Sequence, residues 1–236
     1  MRLILRIYSG IENRMEAGMI TSKINKESLE RYVSSLKFSL YCITHPFDGY
    51  WDLTHEKRGS MAAANTILIL TLLAKILKLQ YTSFIFNAVY WPEVNIVLQL
   101  AAILFPLALW CVGNWALTTL FDGKGRLSQV YMATCYGMVP YPLFQFPLII
   151  FSNVVTVDEA EFYTLMSSLS LVLCGLLIFA AMMMIHEFSL SKNVLFTIGT
   201  LFAMLVMVFI LLLFFSMISQ GIAYFISIGR EILFRL

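Results

Sequence analysis

Three histidines and a scatter of carboxylates are the residues that could carry acid–base or metal chemistry. His45, His55 and His186 share the chain with Asp48, Asp52, Glu56, Asp122 and Glu187, and imidazole with carboxylate is a common donor set for zinc or a general base. No HExxH or equivalent spacing joins them. Cys42, Cys111, Cys135 and Cys174 are far apart and form no CxxC pair; three lie in apolar stretches. They read as small hydrophobes packed in helices. No serine sits in a nucleophile elbow with a placed His/Asp partner. Phe121-Asp122-Gly123-Lys124-Gly125-Arg126 is glycine-rich but lacks the GxxxxGK[ST] spacing of a phosphate-cradling loop, and it reads as a tight turn. These residues point to no enzyme, no cofactor and no metal.

What they do suggest is docking. In His45-Pro46-Phe47-Asp48-Gly49-Tyr50-Trp51-Asp52-Leu53, followed by Glu56-Lys57-Arg58-Gly59-Ser60, aromatics alternate with charges. That mixture suits a segment at a membrane interface, with Phe47, Tyr50 and Trp51 toward the acyl chains and Lys57 and Arg58 at lipid phosphates. Asp48, Asp52 and Glu56 recur every four residues and share one face if the segment is helical. A second marked stretch is Gly113-Asn114-Trp115 with the Asp122-Gly123-Lys124 turn. Asn114 inside an apolar helix is costly unless bonded, so it is expected to bridge to a neighbouring helix. The candidate partner-binding residues are therefore His45, Phe47, Asp48, Trp51, Asp52, Asn114, Trp115, Asp122, Gly123 and Lys124.

The elements that position them are membrane helices. The chain has 236 residues, 60% hydrophobic and only 13% charged, against about 25% charged in ordinary globular chains. A soluble domain cannot hide that much apolar surface. The composition excludes a soluble enzyme, a disordered linker and a nucleic-acid binder, and a net charge of +2 is too balanced for a general polyanion partner. Runs of about 20 residues with little or no charge span a core about 30 Å thick. Five are expected: Met61 to Leu79, Val94 to Leu120, Leu127 to Phe151, Phe162 to Ile185 and Val194 to Ile218. Lys75 and Lys78 in the first are expected to snorkel to the interface, where Tyr81, Phe84, Phe86, Tyr90 and Trp91 would form an aromatic belt. The charge-free run around the fifth extends from Asn193 to Gly229, so that helix either projects beyond the bilayer or bends at Gly221. Twelve Lys/Arg fall on the N-terminal side of such a bundle and two on the other, which places the N-terminus in the cytoplasm and the C-terminus outside. The fold class is thus all-α and polytopic.

This divides the chain into a cytoplasmic segment 1–37, an interfacial segment 38–60, a five-helix domain 61–220 and an amphipathic tail 221–236. Met15 and Met19 are alternative starts, in which case residues 1–18 are an artefact of start-site choice. Pro140, Pro142 and Pro147 must kink or break the third span, whose freed carbonyls then need partners on other helices. Pro106 predicts a milder kink in the second. A broken helix at a substrate site is the functional version of that feature, and a purely structural kink is the alternative. No Asp, Glu, Arg or His lies inside spans two to five, which argues against a stand-alone ion-coupled transporter.

The stretch Gly113-Asn114-Trp115-Ala116-Leu117-Thr118-Thr119-Leu120-Phe121-Asp122-Gly123-Lys124-Gly125, with Tyr131 to Thr134, Tyr136, Pro140 and Tyr141, resembles the Yip family (the Yip-one domain). The His45-to-Ser60 segment is similar to that of bacterial Gram-positive members. The resemblance covers roughly residues 38 to 220. It implies a five-helix membrane domain with a cytoplasmic N-terminus and no enzymatic activity or cofactor. Eukaryotic relatives are ER and Golgi adaptors that bind Rab GTPases, but their Asp-Leu-Tyr-Gly-Pro motif is absent here and Asp52-Leu53-Thr54 is at most a trace of it.

Three functions follow as expectations. The first is a non-catalytic adaptor or scaffold that organises partner membrane proteins. The second is an accessory subunit of a transport complex, such as an ABC-type importer of a Gram-positive cell, contacting its permease subunits. The third is a small channel or lipid scramblase. All place the chain in a cell membrane, the bacterial plasma membrane, among lipids and other integral membrane proteins. Homo-oligomers remain open, and no nucleic acid is expected.

Overall fold

The computed structural model describes residues 27–86, 94–121, 123–156 and 159–235. Asp122, the belt residues Tyr90 and Trp91, and the segment up to residue 26 with its alternative starts lie outside them. Every regular element among the described residues is helical. α1 covers residues 27–44. It is followed by α2 (Pro46–His55), α3 (Met61–Tyr81), α4 (Ile96–Leu120), α5 (Leu127–Gly137), α6 (Pro140–Phe151), α7 (Ala160–His186) and α8 (Leu190–Arg235). Five stretches are long and apolar enough to cross a membrane: α3, α4, α5 with α6, α7, and α8 as far as Ile228.

The chain folds as two compact units, Met1–Val89 with Met132–Ala181 and Tyr90–Tyr131 with Met182–Leu236. In the first, α1 and α2 form a helical hairpin preceding α3. The boundary expected at residue 37/38 falls inside α1. Pro46 opens α2 at the position where a missing N–H costs nothing. Gly49 lets the two helices touch, since a Cβ there would lie 2.9 Å from Cys42 Sγ and 3.0 Å from its Cα. The linker to α3 is fixed from three sides. Ser35 Oγ donates to Arg58 O, Ser60 N donates to Tyr136 Oη, and Tyr136 Oη donates to Ser35 O. Ser60 caps α3 by accepting from Ala62 N.

The third span is broken, as its prolines require. α5 stops at Gly137, Met138 and Val139 form a turn, and α6 restarts at Pro140. Pro140 and Pro142 stand in the first turn of α6, where backbone donors are unused anyway, so only Pro147 interrupts a helix interior. Met138 O, freed by the break, accepts from Tyr141 N and, at 3.7 Å, from Cys174 Sγ of α7. Gly137 permits this approach: a Cβ would meet Ile178 Cγ1 at 2.7 Å. This is the most buried of the five spans. α4 carries Pro106 without interruption.

Of the two alternatives for the fifth span, the helix is not broken at Gly221: α8 runs through it as one helix of 46 residues, about 69 Å of chain at about 1.5 Å per residue. Its residues 209–220 are exposed on every side. Lys78 is half-buried: its ammonium donates to Ser167 Oγ of α7 at 2.7 Å and stands over the Tyr163 ring.

Candidate functional site

The sequence-marked residues fall into two groups, His45 to Asp52 in the first unit and Asn114 to Lys124 in the second.

On α2 the buried face consists of Gly49, Tyr50 and Leu53. The opposite face presents His45, Phe47, Asp48 and Trp51 to the surroundings, with Phe47 52% and Trp51 43% exposed. Tyr50, expected at the acyl chains, is fully buried. One residue along a helix is a 100° turn, so neighbours of the same type meet opposite fates. The exposed face is ordered by its own contacts. His45 stacks on Tyr41 and His55 on Trp51, the latter with ring centroids 3.7 Å apart. Asp52 pairs with Arg58 at 3.0 Å, and the Arg58 guanidinium lies over Phe38 of α1. Beneath α2, burial pushes the Cys42 thiol up to about 12, aided by the nearby Asp52 charge. Burial likewise raises the Tyr50 phenol well above its ordinary value. Neither group is available as a nucleophile at neutral pH.

In the second unit the marked residues turn inward. Asn114 is 2% exposed and is therefore no part of a docking surface. His186 at the end of α7 is equally buried. Its Nδ1 accepts from Gly125 N at 3.2 Å, so the ring proton is on Nε2, which donates to Asn114 Oδ1 at 3.0 Å. Asn114 Nδ2 in turn donates to Thr200 Oγ1 of α8, and Thr200 donates to Phe196 O. Thr118 Oγ1 donates to Asn114 O, and Gly123 N donates to Thr118 O. The expected bridge from Asn114 to another helix is thus made, to α8 and to the end of α7.

His186 also accounts for the glycines. Among the described residues no glycine has a positive φ, so the Gly-Lys-Gly turn does not need glycine for its backbone angles. It needs close approach. A Cβ on Gly125 would lie 2.6 Å from His186 Cε1 and one on Gly123 3.0 Å from His186 Nδ1. The lysine between them points out and pairs with Glu187. Glu187 itself sits at φ 53°, the left-handed position that closes a helix, with Glu187 N on Met184 O and Phe188 N on Met183 O. Trp115 lies on the exposed side of α4. His186 carried no spacing signal, because its partners are 61 and 72 positions away.

Among the described residues no three His, Cys, Asp or Glu side chains converge as a metal site would require, and the four cysteines are buried and form no disulfide. His45 and His55 are spent in local stacking. What the two groups offer is one outward face and one internal latch.

Compared with known families, the chain matches the Yip1 domain model over residues 40–214, three-quarters of its length. No curated protein and no solved structure matches it.

Proposed function

Because the chain belongs to the Yip1 domain family, we propose that this membrane protein is a non-catalytic adaptor that holds other membrane proteins through the outward face of α2. The observation that carries the reading is the asymmetry of that helix. Tyr50 and Leu53 are buried within the first unit while Phe47, Trp51, His45 and Asp48 are exposed. Aromatic anchors on a preorganised element are the usual centre of a protein interface, and a carboxylate beside them adds selectivity. The reading puts α2 on the cytoplasmic side, as the Lys/Arg distribution favours, and puts the protein in a bacterial plasma membrane.

A second reading, an accessory subunit of a transport complex, draws on α8. Its charge-free run from Asn193 to Gly229 would extend about 55 Å at about 1.5 Å per residue, well beyond a core about 30 Å thick. A permease helix laid against it would cover what lipid does not.

Affinity capture in mild detergent from the native host tests both. Under the first reading, Phe47→Ala with Trp51→Ala removes a stoichiometric partner that wild type retains. If that partner is a permease and stays bound to the double variant but leaves when α8 is cut after Ile218, the second reading takes its place. Recovery of an identical set of proteins with all three chains rejects both.

A further inference from the structure

A polar cluster lies inside the first unit, near the ends of the spans remote from the α1–α2 hairpin. Lys78 is 17 residues along α3 from Met61, about 25 Å at about 1.5 Å per residue, and only three short of the helix end. Its ammonium donates to Ser167 Oγ at 2.7 Å. Gln145 of α6, fully buried, donates from Nε2 to the same Ser167 Oγ and to Ser170 Oγ, at 3.1 and 3.2 Å. Ser170 Oγ donates to Ser167 O. Tyr163, 5% exposed, lies under the ammonium with its centroid 5.8 Å away.

The cluster does not close on itself. A lysine ammonium carries three N–H donors, and one is used. Tyr163 Oη has no partner at all, and neither has Gln145 Oε1. Among the described residues no carboxylate pairs with Lys78. Lys78 is half-buried, but the two unpaired oxygens are buried; a buried polar group without a partner costs about 1–3 kcal/mol, so they are an anomaly that calls for a ligand. The imbalance defines the ligand. Free donors and one uncompensated positive charge call for an oxyanion, and the single free acceptor calls for a hydroxyl beside it.

On the same turns of α6 and α7, one helix face round, an open groove of about 450 Å³ runs between Leu143, Phe144, Pro147, Phe151, Phe162 and Met166. It is almost wholly apolar, and its residues interleave with Gln145, Tyr163 and Ser167 along the two helices.

We propose that this is a phospholipid site, with the headgroup phosphate on Lys78 and Tyr163, a headgroup hydroxyl on Gln145 Oε1, and an acyl chain in the α6–α7 groove. Lys78 lies within one turn of the end of α3, from where a lysine side chain can reach a leaflet's headgroups. The joined chemistry, an oxyanion site beside an apolar groove, fits a phosphate-bearing amphiphile better than a soluble anion.

Native mass spectrometry of the full chain released from detergent is the test, using phosphatidylglycerol, diacylglycerol and inorganic phosphate as probes. Wild type is expected to retain phosphatidylglycerol and to lose diacylglycerol, a comparison that needs no variant. Lys78→Met is expected to lower the retained phosphatidylglycerol by about tenfold, the scale of one charge-assisted contact, while Lys78→Arg and Lys75→Met keep it. Tyr163→Phe, which removes one oxygen and no volume, is expected to weaken retention and serves if Lys78→Met does not fold. Equal retention of diacylglycerol, or unchanged retention in Lys78→Met, overturns the site. Displacement of the lipid by millimolar inorganic phosphate overturns the lipid as its occupant.

Discussion

The α2 segment and the α4–α5 turn carry the same kinds of residue, aromatics beside glycine, a carboxylate and a lysine or arginine, and the structure uses them in opposite ways. On α2, a core of Gly49, Tyr50 and Leu53 anchors the helix so that Phe47 and Trp51 stay outside. In the turn, Asn114 and the two glycines close around buried His186, and Lys124 is left outside. The lesson lies in hydrogen-bond satisfaction. A polar network whose donors and acceptors meet inside the protein fixes a shape; a face whose aromatics stay exposed is open to a partner.

The comparison can be broken by substitution. The largest effect is expected from Gly125→Val. Its branched side chain would collide with the His186 ring and with Ile185 Cγ2, each 2.6 Å from the first added carbon. Overpacking of this kind costs about 1–3 kcal/mol and often more, so a clear drop in the detergent melting temperature, or loss of folded protein, is expected in fluorescence-detected size exclusion. Next comes His186→Leu, which leaves Gly125 N and Asn114 Oδ1 without partners at about 1–3 kcal/mol for each buried group. His186→Gln, which can still accept and donate, should recover part of that loss in the same assay. A Tyr136→Phe change should cost about 1 kcal/mol and loosen the linker at Ser60. Faster amide exchange at residues 56–60, with α4 unchanged, is the signature.

The smallest stability effects are expected on the outward face. Phe47→Ala, Trp51→Ala and Lys124→Ala should each stay within about 0.5–1 kcal/mol, even where Trp51→Ala abolishes capture of the partner. A melting shift from Trp51→Ala as large as that from His186→Leu would erase the distinction between the two regions. The pH dependence of Cys42 sharpens it further. Its thiol is pushed up to about 12 by burial, so its proton is held more tightly in the folded chain than in the unfolded one. The hairpin's share of stability from this group is whole below about pH 8.5, the ordinary thiol value, and is lost as pH rises from there toward 12. Cys42 is fully buried, so maleimide should label it far more slowly in the folded protein than in the unfolded chain at the same pH. Labelling of the folded protein as fast as that of the unfolded chain would mean that α2 does not cover it.

Much of this architecture was legible in the residues. The charge-free runs located all five spans, because a bilayer imposes length and polarity together, and the three prolines located the break in the third. Asn114 announced its need for a partner by being polar in an apolar helix. The identity of that partner was not legible, since His186 is met only through the fold, and two glycines that resemble turn residues proved to be there to make room for its ring. The phase of α2 was hidden for a similar reason. Tyr50 and Trp51 are adjacent and alike in chemistry, and only the Gly49–Cys42 approach decides which is buried. The partner of Lys78 was not legible either, since Ser167 lies 89 positions away on another helix.

The account stands or falls on what touches the outward face of α2. A photocrosslinking amino acid placed at position 51, with position 50 as the buried control, answers that in living cells. The account predicts a discrete protein adduct from position 51, lost when Phe47 is changed to Ala, and none from position 50. Crosslinking of position 51 to lipid alone, or equal adducts from both positions, would contradict it.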